Sequence, residues 1–183
     1  MKTVLFLNQK GGCGKTLLAD EVAHWYEAKG KKVNFYDLDA QGGTVHETKE
    51  VDGAEISVVD TPGALHSKMR EWIESADLVI IPTRSNRQDM GAMKTMMDII
   101  KDYDKKKFII VFNQWNRFRG AADFKAWFNI IFPGFDIVEI PMSVTYSDAS
   151  ALGISIFEYQ KKGKAAEAMR NFMNLIDNKL GEE

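Results

Sequence analysis

Residues 3–16, TVLFLNQKGGCGKT, join an apolar run to a glycine-rich loop that ends in Gly-Lys-Thr. A strand, such a loop and a helix together place backbone amides and the positive end of the helix dipole against phosphate oxygens. The glycines that allow this close approach are Gly11, Gly12 and Gly14. Lys15 would contact the β and γ phosphates, and the Thr16 hydroxyl would bind Mg²⁺. The stretch predicts a nucleotide-phosphate site at the start of an α/β domain.

Apolar strands alternate with helical periodicity along the whole sequence. The predicted strands are 3–8, 32–37, 56–60, 78–82, 108–113 and 136–141, and the predicted helices are 15–29, 65–75, 88–104, 121–131 and 163–179. Continuous apolar strands separated by helices are typical of a parallel sheet that is buried on both faces. We therefore predict an α/β fold, doubly wound, with a mostly parallel sheet flanked by helices, in a single domain over 1–183. The polar segment 40–55 is too short for a crossover helix, so we expect a mobile loop or a small hairpin there.

The composition excludes several classes of protein. The single cysteine, Cys13, rules out an internal disulfide framework and zinc sites built from several thiolates. With 45% hydrophobic residues the chain can bury a full core, yet no apolar run approaches the roughly 18–20 residues that span a bilayer. The formal net charge of −2 means that any affinity for nucleic acid must come from a local basic patch. We expect a cytoplasmic protein.

Polar residues follow four of the predicted strands, where ligands bind in doubly wound sheets. They are Asn8, the pair Asp37 and Asp39, Asp60 and Asn113. Asp60 ends an apolar strand and begins Asp-Thr-Pro-Gly, an arrangement in which a carboxylate holds a water on Mg²⁺. The same four residues also occur in GTPase switch regions, so this motif leaves the identity of the base open.

Lys10 gives the loop a narrower pattern, Lys-Gly-Gly-x-x-Lys-Thr, and Gln9 replaces the first glycine of the common form. With these residues the sequence resembles the ParA/MinD family of deviant Walker-type ATPases, and most closely the small ParA-type partition proteins. The resemblance implies a P-loop NTPase fold with a deviant Walker A motif and an ATP-dependent homodimer. It further implies that Lys10 reaches across the dimer to the partner's phosphates, where its charge acts as an arginine finger does.

The resemblance also assigns the remaining site residues and the cofactors, ATP and Mg²⁺. Asp39 is expected to orient the attacking water, and Asp37 to hold either the loop or the metal shell. The catalytic residues are expected to be Lys10, Lys15 and Asp39; the nucleotide-binding residues Lys10, Gly11, Gly12, Cys13, Gly14, Lys15, Thr16, Leu17, Asn113, Pro141 and Met142; and the metal ligands Thr16, Asp60 and Asp37.

The base is predicted to be adenine. GTPases generally recognise guanine through Asn-Lys-x-Asp, whose carboxylate accepts from the base. The corresponding residues here are Asn113, Gln114 and Asn116, which lack that carboxylate. By the resemblance, Asn113 and the segment 140–143 would border the adenine. A metabolic P-loop kinase and a GTPase-like switch remain the alternatives, although a kinase leaves Lys10 without a role.

The resemblance implies three kinds of partner: a second copy of the chain, non-specific DNA, and a ParB-like or other adaptor that stimulates hydrolysis. We expect a nucleoid-associated protein without membrane binding, whose terminal amphipathic helix packs on the sheet. Because the sequence starts at the first strand, we expect no N-terminal helix-turn-helix and no operator-specific binding. The candidate DNA contacts are Arg84, Arg87, Lys105, Lys106, Lys107, Arg117, Arg119, Lys161, Lys162, Lys164 and Arg170.

Overall fold

The structure is a computed structural model that describes residues 1–39, 43–63 and 67–182. The strands are β1 (Lys2–Phe6), β2 (Val33–Asp37), β3 (Ile56–Asp60), β4 (Leu78–Arg84), β5 (Phe108–Trp115) and β6 (Asp136–Pro141). The helices are α1 (Lys15–Ala28), α2 (Met69–Ser75), α3 (Met90–Ile100), α4 (Arg119–Ile131), α5 (Val144–Ala151), α6 (Ile156–Tyr159) and α7 (Lys164–Leu180). Short 3₁₀ turns at Arg87–Asp89 and Lys105–Lys107 precede α3 and β5.

All pairings among the six strands are parallel, and the strand order is β2-β3-β1-β4-β5-β6. The chain first moves outward from β1 to β2, returns through β3, and then crosses β1 to continue with β4. The carboxyl end of β1 is therefore next to the point where the chain reverses its direction across the sheet, which is the usual ligand position in such folds. The predicted doubly wound parallel sheet is confirmed.

The sheet is buried on both faces because alternate strand residues point in opposite directions. Val4 and Phe6 of β1 belong to the core beneath α1 and α7. Leu5 and the following Leu7 belong to the core beneath α2, α3 and α4. This two-sided burial explains why the strands read as continuous apolar runs instead of alternating ones.

Helix α7 covers one face of the sheet with its apolar stripe. Met169, Phe172, Met173 and Ile176 are fully buried, and Leu180 is nearly so. The prediction that this stripe packs on the sheet is confirmed. None of the helices in the described part of the chain combines the length and the apolar character needed to cross a membrane.

Several predicted boundaries differ from the structure. Helix α3 ends at Ile100, four residues earlier than expected. The Tyr103 amide donates to the Ile100 carbonyl in a turn at this end, and Asp104 then caps a separate 3₁₀ turn by accepting from the Lys106 amide. Helix α2 begins at Met69, and residues 64–66, where its start was expected, lie outside the described residues. Within the expected loop 40–55, the described residues 43–55 run beside β2 and form one isolated antiparallel bridge, between Phe35 and Lys49.

Candidate functional site

The glycine-rich loop connects β1 to α1 in the conformation that its glycines allow. Gly12 and Gly14 have φ angles of +69° and +96°, a region that side chains other than glycine rarely adopt. The loop borders a cleft of about 350 Å³, and Lys15, the first residue of α1, lies in its wall and is 6% exposed. The residues that line this phosphate cleft are Gly11, Gly12, Gly14, Lys15, Thr16, Leu17, Asp20, Asp39, Gly43 and Ser150.

Thr16 and Asp60 form a pair suited to a hydrated Mg²⁺. The Thr16 hydroxyl donates to Asp60 Oδ2 at 2.7 Å, while Asp60 Oδ1 is buried and has no hydrogen-bond partner among the residues that the structure describes. Burial raises the pKa of the Asp60 carboxyl to about 6, with the Thr16 hydrogen bond and Lys15 opposing the shift. A buried carboxylate oxygen with unused acceptor capacity beside a hydroxyl is what a magnesium-bound water requires. The residues fit the ion.

Asp37 and Asp39 lie at the carboxyl end of β2, beside Asp60 in the neighbouring strand. Asp37 Oδ1 accepts from the Asp39 amide at 2.9 Å, and Asp37 Oδ2 accepts from the Thr44 hydroxyl at 2.9 Å. Both carboxylate oxygens of Asp37 thus hold the loop, which favours a role in the loop over a role in the metal shell. Asp39 is half-buried and lines the phosphate cleft.

A second, mostly apolar pocket of about 290 Å³ adjoins the phosphate cleft and shares Gly14 and Leu17 with it. Asn113, at the end of β5, closes its floor: the side-chain amide donates to the Cys13 carbonyl at 2.9 Å. The remaining lining residues are Gln114, Pro141, Met142, Ser143, Val144, Tyr146 and Ser147. An apolar pocket beside a cleft lined by a glycine-rich loop has the chemistry that a nucleobase requires.

Asn116, at the position of the guanine-binding carboxylate, does not line this pocket. Its side-chain oxygen accepts a hydrogen bond from the Phe118 amide at 3.0 Å, just before α4 begins. The preceding Gln114 has a φ of +54°, where the chain leaves its regular path in β5. The position therefore offers the base neither a carboxylate nor a free carbonyl oxygen.

Lys10 points away from the cleft of its own chain. Its ammonium forms an ion pair with Asp89 in the 3₁₀ turn before α3, and Arg84 Nε lies 3.5 Å from the other carboxylate oxygen. The Asp89 side chain is 2% exposed, whereas that of Lys10 is 29% exposed. A lysine that leaves this pair can reach solvent directly.

The Asp-Thr-Pro-Gly turn packs directly on the phosphate loop. The Thr61 hydroxyl donates to the Phe6 carbonyl at 2.7 Å. A Cβ on Gly63 would lie 2.9 Å from Gly11 Cα, so only glycine permits this contact. Movement of the turn is thus coupled to the position of the loop.

Cys13 has a structural place in the loop. The thiol is 1% exposed and donates to the Lys10 carbonyl at 3.2 Å. Burial raises the pKa of this thiol, although nearby Lys15 opposes the shift. A neutral, buried thiol is a poor nucleophile. Cys13 does not line the phosphate cleft.

Some of the basic residues predicted to contact DNA lie at the edge of the sheet where the strands begin, and others lie at the edge where the strands end. Lys105–Lys107 precede β5, at the edge opposite the cleft. Arg84 and Arg117 lie at the same edge as the cleft. Arg117 also shares a surface groove of about 450 Å³ with Lys164, the first residue of α7. Two clusters that are distant in the sequence therefore adjoin each other.

Two contacts of the site were missed from the sequence. Asp89 was not identified as the partner of Lys10, and Gln9, noted only as a departure, donates to the Ala92 carbonyl at 2.8 Å. A local signal existed for Asp89: Asn86 lies three residues before it and its side chain accepts from the Asp89 amide at 3.1 Å, as in an N-terminal capping motif. Such a motif predicts a turn but not the distant lysine.

Comparisons with known proteins identify the domain family and similar folds. Residues 4–156 match the model of the CobQ/CobB/MinD/ParA nucleotide binding domain. A search of curated proteins by sequence gives no significant match. The fold is similar to an ATP complex of McdA from Cyanothece, with a TM-score of 0.81, 16% identity, and coverage of 100% of this chain and 97% of that chain.

Two further solved structures share the fold. One is the MinD cell division protein of Aquifex aeolicus, with a TM-score of 0.71, 15% identity, and coverage of 100% of this chain and 98% of that chain. The other is a plasmid partition protein of Borrelia burgdorferi B31 bound to AMPPNP, assigned that role provisionally. Its TM-score is 0.68 at 12% identity, with 98% of each chain covered. At these identities the likeness concerns the fold alone.

Proposed function

Since the chain belongs to the CobQ/CobB/MinD/ParA nucleotide-binding family, we propose that it is an ATPase whose ATP-bound form dimerises, binds DNA without sequence preference and positions a cargo. Hydrolysis is slow in the isolated protein and is stimulated by a ParB-like or other adaptor. The cargo is a plasmid, a chromosome or another large assembly. The protein works in the cytoplasm, associated with the nucleoid.

One observation carries the proposal: the phosphate cleft and the apolar pocket adjoin each other at Gly14 and Leu17, while Lys10 lies outside both and pairs with Asp89. The two cavities together offer room for a phosphate group and a base, and Lys10 lines neither of them. A monomeric kinase gives Lys10 no task. A lysine that acts on the nucleotide of a second subunit accounts for both facts.

The chemistry assigned to the chain is positioning and charge stabilisation. Thr16 and Asp60 would hold Mg²⁺, which when bound offsets charge on the phosphates. Lys15 and the loop amides bind the phosphates, and Asp39 orients the attacking water from the edge of the cleft. Lys10 of the partner subunit adds positive charge where negative charge develops in the transition state.

The ion pair between Lys10 and Asp89 gives this mechanism an off state. In the monomer the lysine is neutralised by its own chain. In the dimer it would exchange this carboxylate for the phosphates across the interface. Hydrolysis is then low before dimerisation, because the catalytic charge is held on Asp89.

Light scattering during size-exclusion chromatography tests the dimer. Wild type should elute as a dimer with ATP and Mg²⁺ and as a monomer with ADP. Asp39→Ala should accumulate as an ATP-bound dimer because hydrolysis is blocked, and Lys10→Ala should lose the ATP-dependent dimer. Lys32→Ala, an exposed lysine outside the site, is the matched control. A dimer that is indifferent to nucleotide and to Lys10 would refute the mechanism in trans.

The groove shared by Arg117 and Lys164 is the DNA surface that we favour. It lies at the edge of the sheet where the nucleotide binds, so dimerisation can align two copies of it. The groove itself balances Arg117 and Lys164 against Glu139 and Glu167. Lys161 and Lys162, exposed just before Lys164, supply the additional positive charge. Phosphate contacts from such groups weaken binding steeply as salt rises.

Retention of a DNA fragment of arbitrary sequence tests this surface. Binding should require ATP, and the doubly substituted Arg117→Ala/Lys164→Ala should lower both the affinity and the salt slope, by about one unit for each lost phosphate contact. Lys105→Ala/Lys106→Ala removes the same charge at the opposite edge of the sheet and should leave retention unchanged. If only this second variant fails to bind, the surface is assigned to the wrong edge.

A further inference from the structure

A cluster of side chains on the outer part of α1 is not used by the nucleotide mechanism. His24 and Glu27 of α1 and His46 of the segment after β2 each place one ligand atom within 4.8 Å of the others. The two imidazole rings lie with their centroids 4.4 Å apart. Two imidazoles and a carboxylate are a common donor set for transition-metal ions in proteins.

His46 is held in a fixed orientation. Asp20 Oδ1 lies 2.8 Å from His46 Nδ1, and the same carboxylate accepts from the backbone amides of His46 and Val45 at 2.9 and 2.8 Å. The ring also stacks on Phe35, with centroids 5.1 Å apart. A carboxylate on one ring nitrogen is the usual outer support of a metal-binding histidine, because it leaves the other nitrogen free to bind.

The other nitrogen of His46 faces a second carboxylate. Nε2 lies 3.2 Å from Glu27 Oε2, while Glu27 Oε1 is held by Lys49. If Nδ1 carries the ring proton and donates it in a hydrogen bond to Asp20, then Nε2 and Glu27 Oε2 are both acceptors that face each other. Only a cation or a second proton between them makes that contact favourable.

His24 supplies a third acceptor. Its Nε2 is buried and has no hydrogen-bond partner within the described ranges 1–39, 43–63 and 67–182. A buried ring nitrogen without a partner costs free energy, and a metal ion would remove that cost. His24 also lines a surface groove of about 440 Å³, so one member of the cluster borders solvent.

We propose that His24, Glu27 and His46 form a binding site for a divalent transition-metal ion such as Zn²⁺, with Asp20 as the outer carboxylate. Ligands at about 2.1 Å from a tetrahedral ion are roughly 3.4 Å apart, so the three groups need only small side-chain movements. Mg²⁺ prefers oxygen ligands and would not compete at a site with two imidazoles. The site is separate from the pair Thr16 and Asp60.

An ion at this position would join α1 to the segment 43–49. That segment follows the loop that carries Asp39, and Asp20, which supports His46, also lines the phosphate cleft. The ion would therefore stabilise the folded chain beside the nucleotide site without touching the nucleotide. Its effect should appear as metal-dependent stability in the absence of ATP.

Zn²⁺ titration of the tag-free, full-length protein, after treatment with EDTA and its removal, tests the proposal. A chromophoric chelator reports the affinity, and Co²⁺ reports the ligands through its visible absorption. Wild type should bind one Zn²⁺ and melt at a higher temperature with it, and excess Mg²⁺ should not displace it. His24→Ala and Glu27→Gln should each weaken binding by more than tenfold, and Asp20→Asn by about 10–100-fold.

Matched substitutions separate the site from adventitious binding. Glu47→Gln changes an exposed carboxylate of the same segment, and His66→Ala removes the remaining histidine of the chain; both should bind Zn²⁺ as wild type does. His24→Ala should melt close to wild type in EDTA, which excludes misfolding as the cause of lost binding. No stoichiometric binding by wild type, or unchanged binding by His24→Ala, would overturn the proposal and leave the cluster as a protonated His46 between two carboxylates.

Discussion

The three glycines of the phosphate loop differ in what a Cβ would meet, and this gives a graded test of the loop structure. At Gly11 a Cβ would have nothing within 4 Å, and the backbone is not in the left-handed region. At Gly12 the space is also open, but φ is +69°. At Gly14 φ is +96° and a Cβ would lie 2.0 Å from Asn113 Nδ2. Alanine should therefore meet no obstacle at Gly11, cause backbone strain at Gly12, and cause both backbone strain and a steric clash at Gly14.

The expected changes in the free energy of unfolding follow from these differences. Gly11→Ala should be neutral or stabilising by up to about 1 kcal/mol, since it restricts the unfolded chain. Gly12→Ala should destabilise by about 1–2 kcal/mol for the left-handed backbone. Gly14→Ala should incur the same backbone strain and a further cost of about 1–3 kcal/mol, because Asn113 must give up its buried hydrogen bond to the Cys13 carbonyl. The total destabilisation is then roughly 2–5 kcal/mol.

Urea denaturation of the three variants without nucleotide measures these values, so that altered ATP affinity cannot contribute. In thermal melts each kcal/mol should appear as about 2–4 °C for a chain of this size. Asn113→Ala combined with Gly14→Ala is the control: it removes the collision, so the two substitutions should cost less than the sum of their separate effects. Equal losses at Gly11, Gly12 and Gly14 would refute the loop geometry.

Two further predictions concern buried carboxylates. Burial raises the pKa of Glu21 from 4.5 to about 7, so the folded protein should lose stability as pH rises from about 4.5 to 7. Glu21→Gln should be more stable than wild type by up to about 3 kcal/mol at pH 8.5, but not at pH 4.5. Urea denaturation at both values checks this, and a difference that does not vary with pH would contradict it. Asp89→Asn removes the carboxylate that holds Lys10, and should lower the ATP concentration for half-maximal dimerisation about fivefold. This factor corresponds to the loss of a partly exposed ion pair worth about 1 kcal/mol. Asp98→Asn, an exposed change on α3, is the control for light scattering, and a higher ATP requirement for Asp89→Asn would contradict the proposed off state.

The sheet could be predicted from the sequence because its strands are buried on both faces. A run such as FIIVF at 108–112 has no polar residue to support another interpretation, and all five residues are buried. The predictions were less accurate where a local hydrogen bond decides the boundary. Helix α3 ends in a turn in which the Tyr103 amide donates to the Ile100 carbonyl, and the helical periodicity of the surrounding residues contains no sign of that turn.

The site was predictable to the extent that its residues are neighbours in a motif or lie at strand ends. Thr16 and Asp60 are 44 positions apart, yet both follow from the rule that ligands bind at the carboxyl ends of parallel strands. Asp89 lies 79 positions from Lys10, and no such rule brings it there. The same is true of His24 and His46, which meet because Asp20 anchors the segment after β2 to α1.

The two departures from the common phosphate loop have a shared structural basis. Gln9 donates to the Ala92 carbonyl, and Lys10 pairs with Asp89, so both residues contact the start of α3 and the turn before it. In a loop with glycine at position 9 the first of these contacts does not exist. The first half of the loop is therefore bound to 87–92, whereas its second half lines the cleft proposed for the phosphates. If Lys10 leaves Asp89 on dimerisation, this segment is the first part of the fold to lose a contact. Arg84 Nε lies 3.5 Å from Asp89 and Arg87 is exposed in the same turn, so both side chains lie where that contact would be lost.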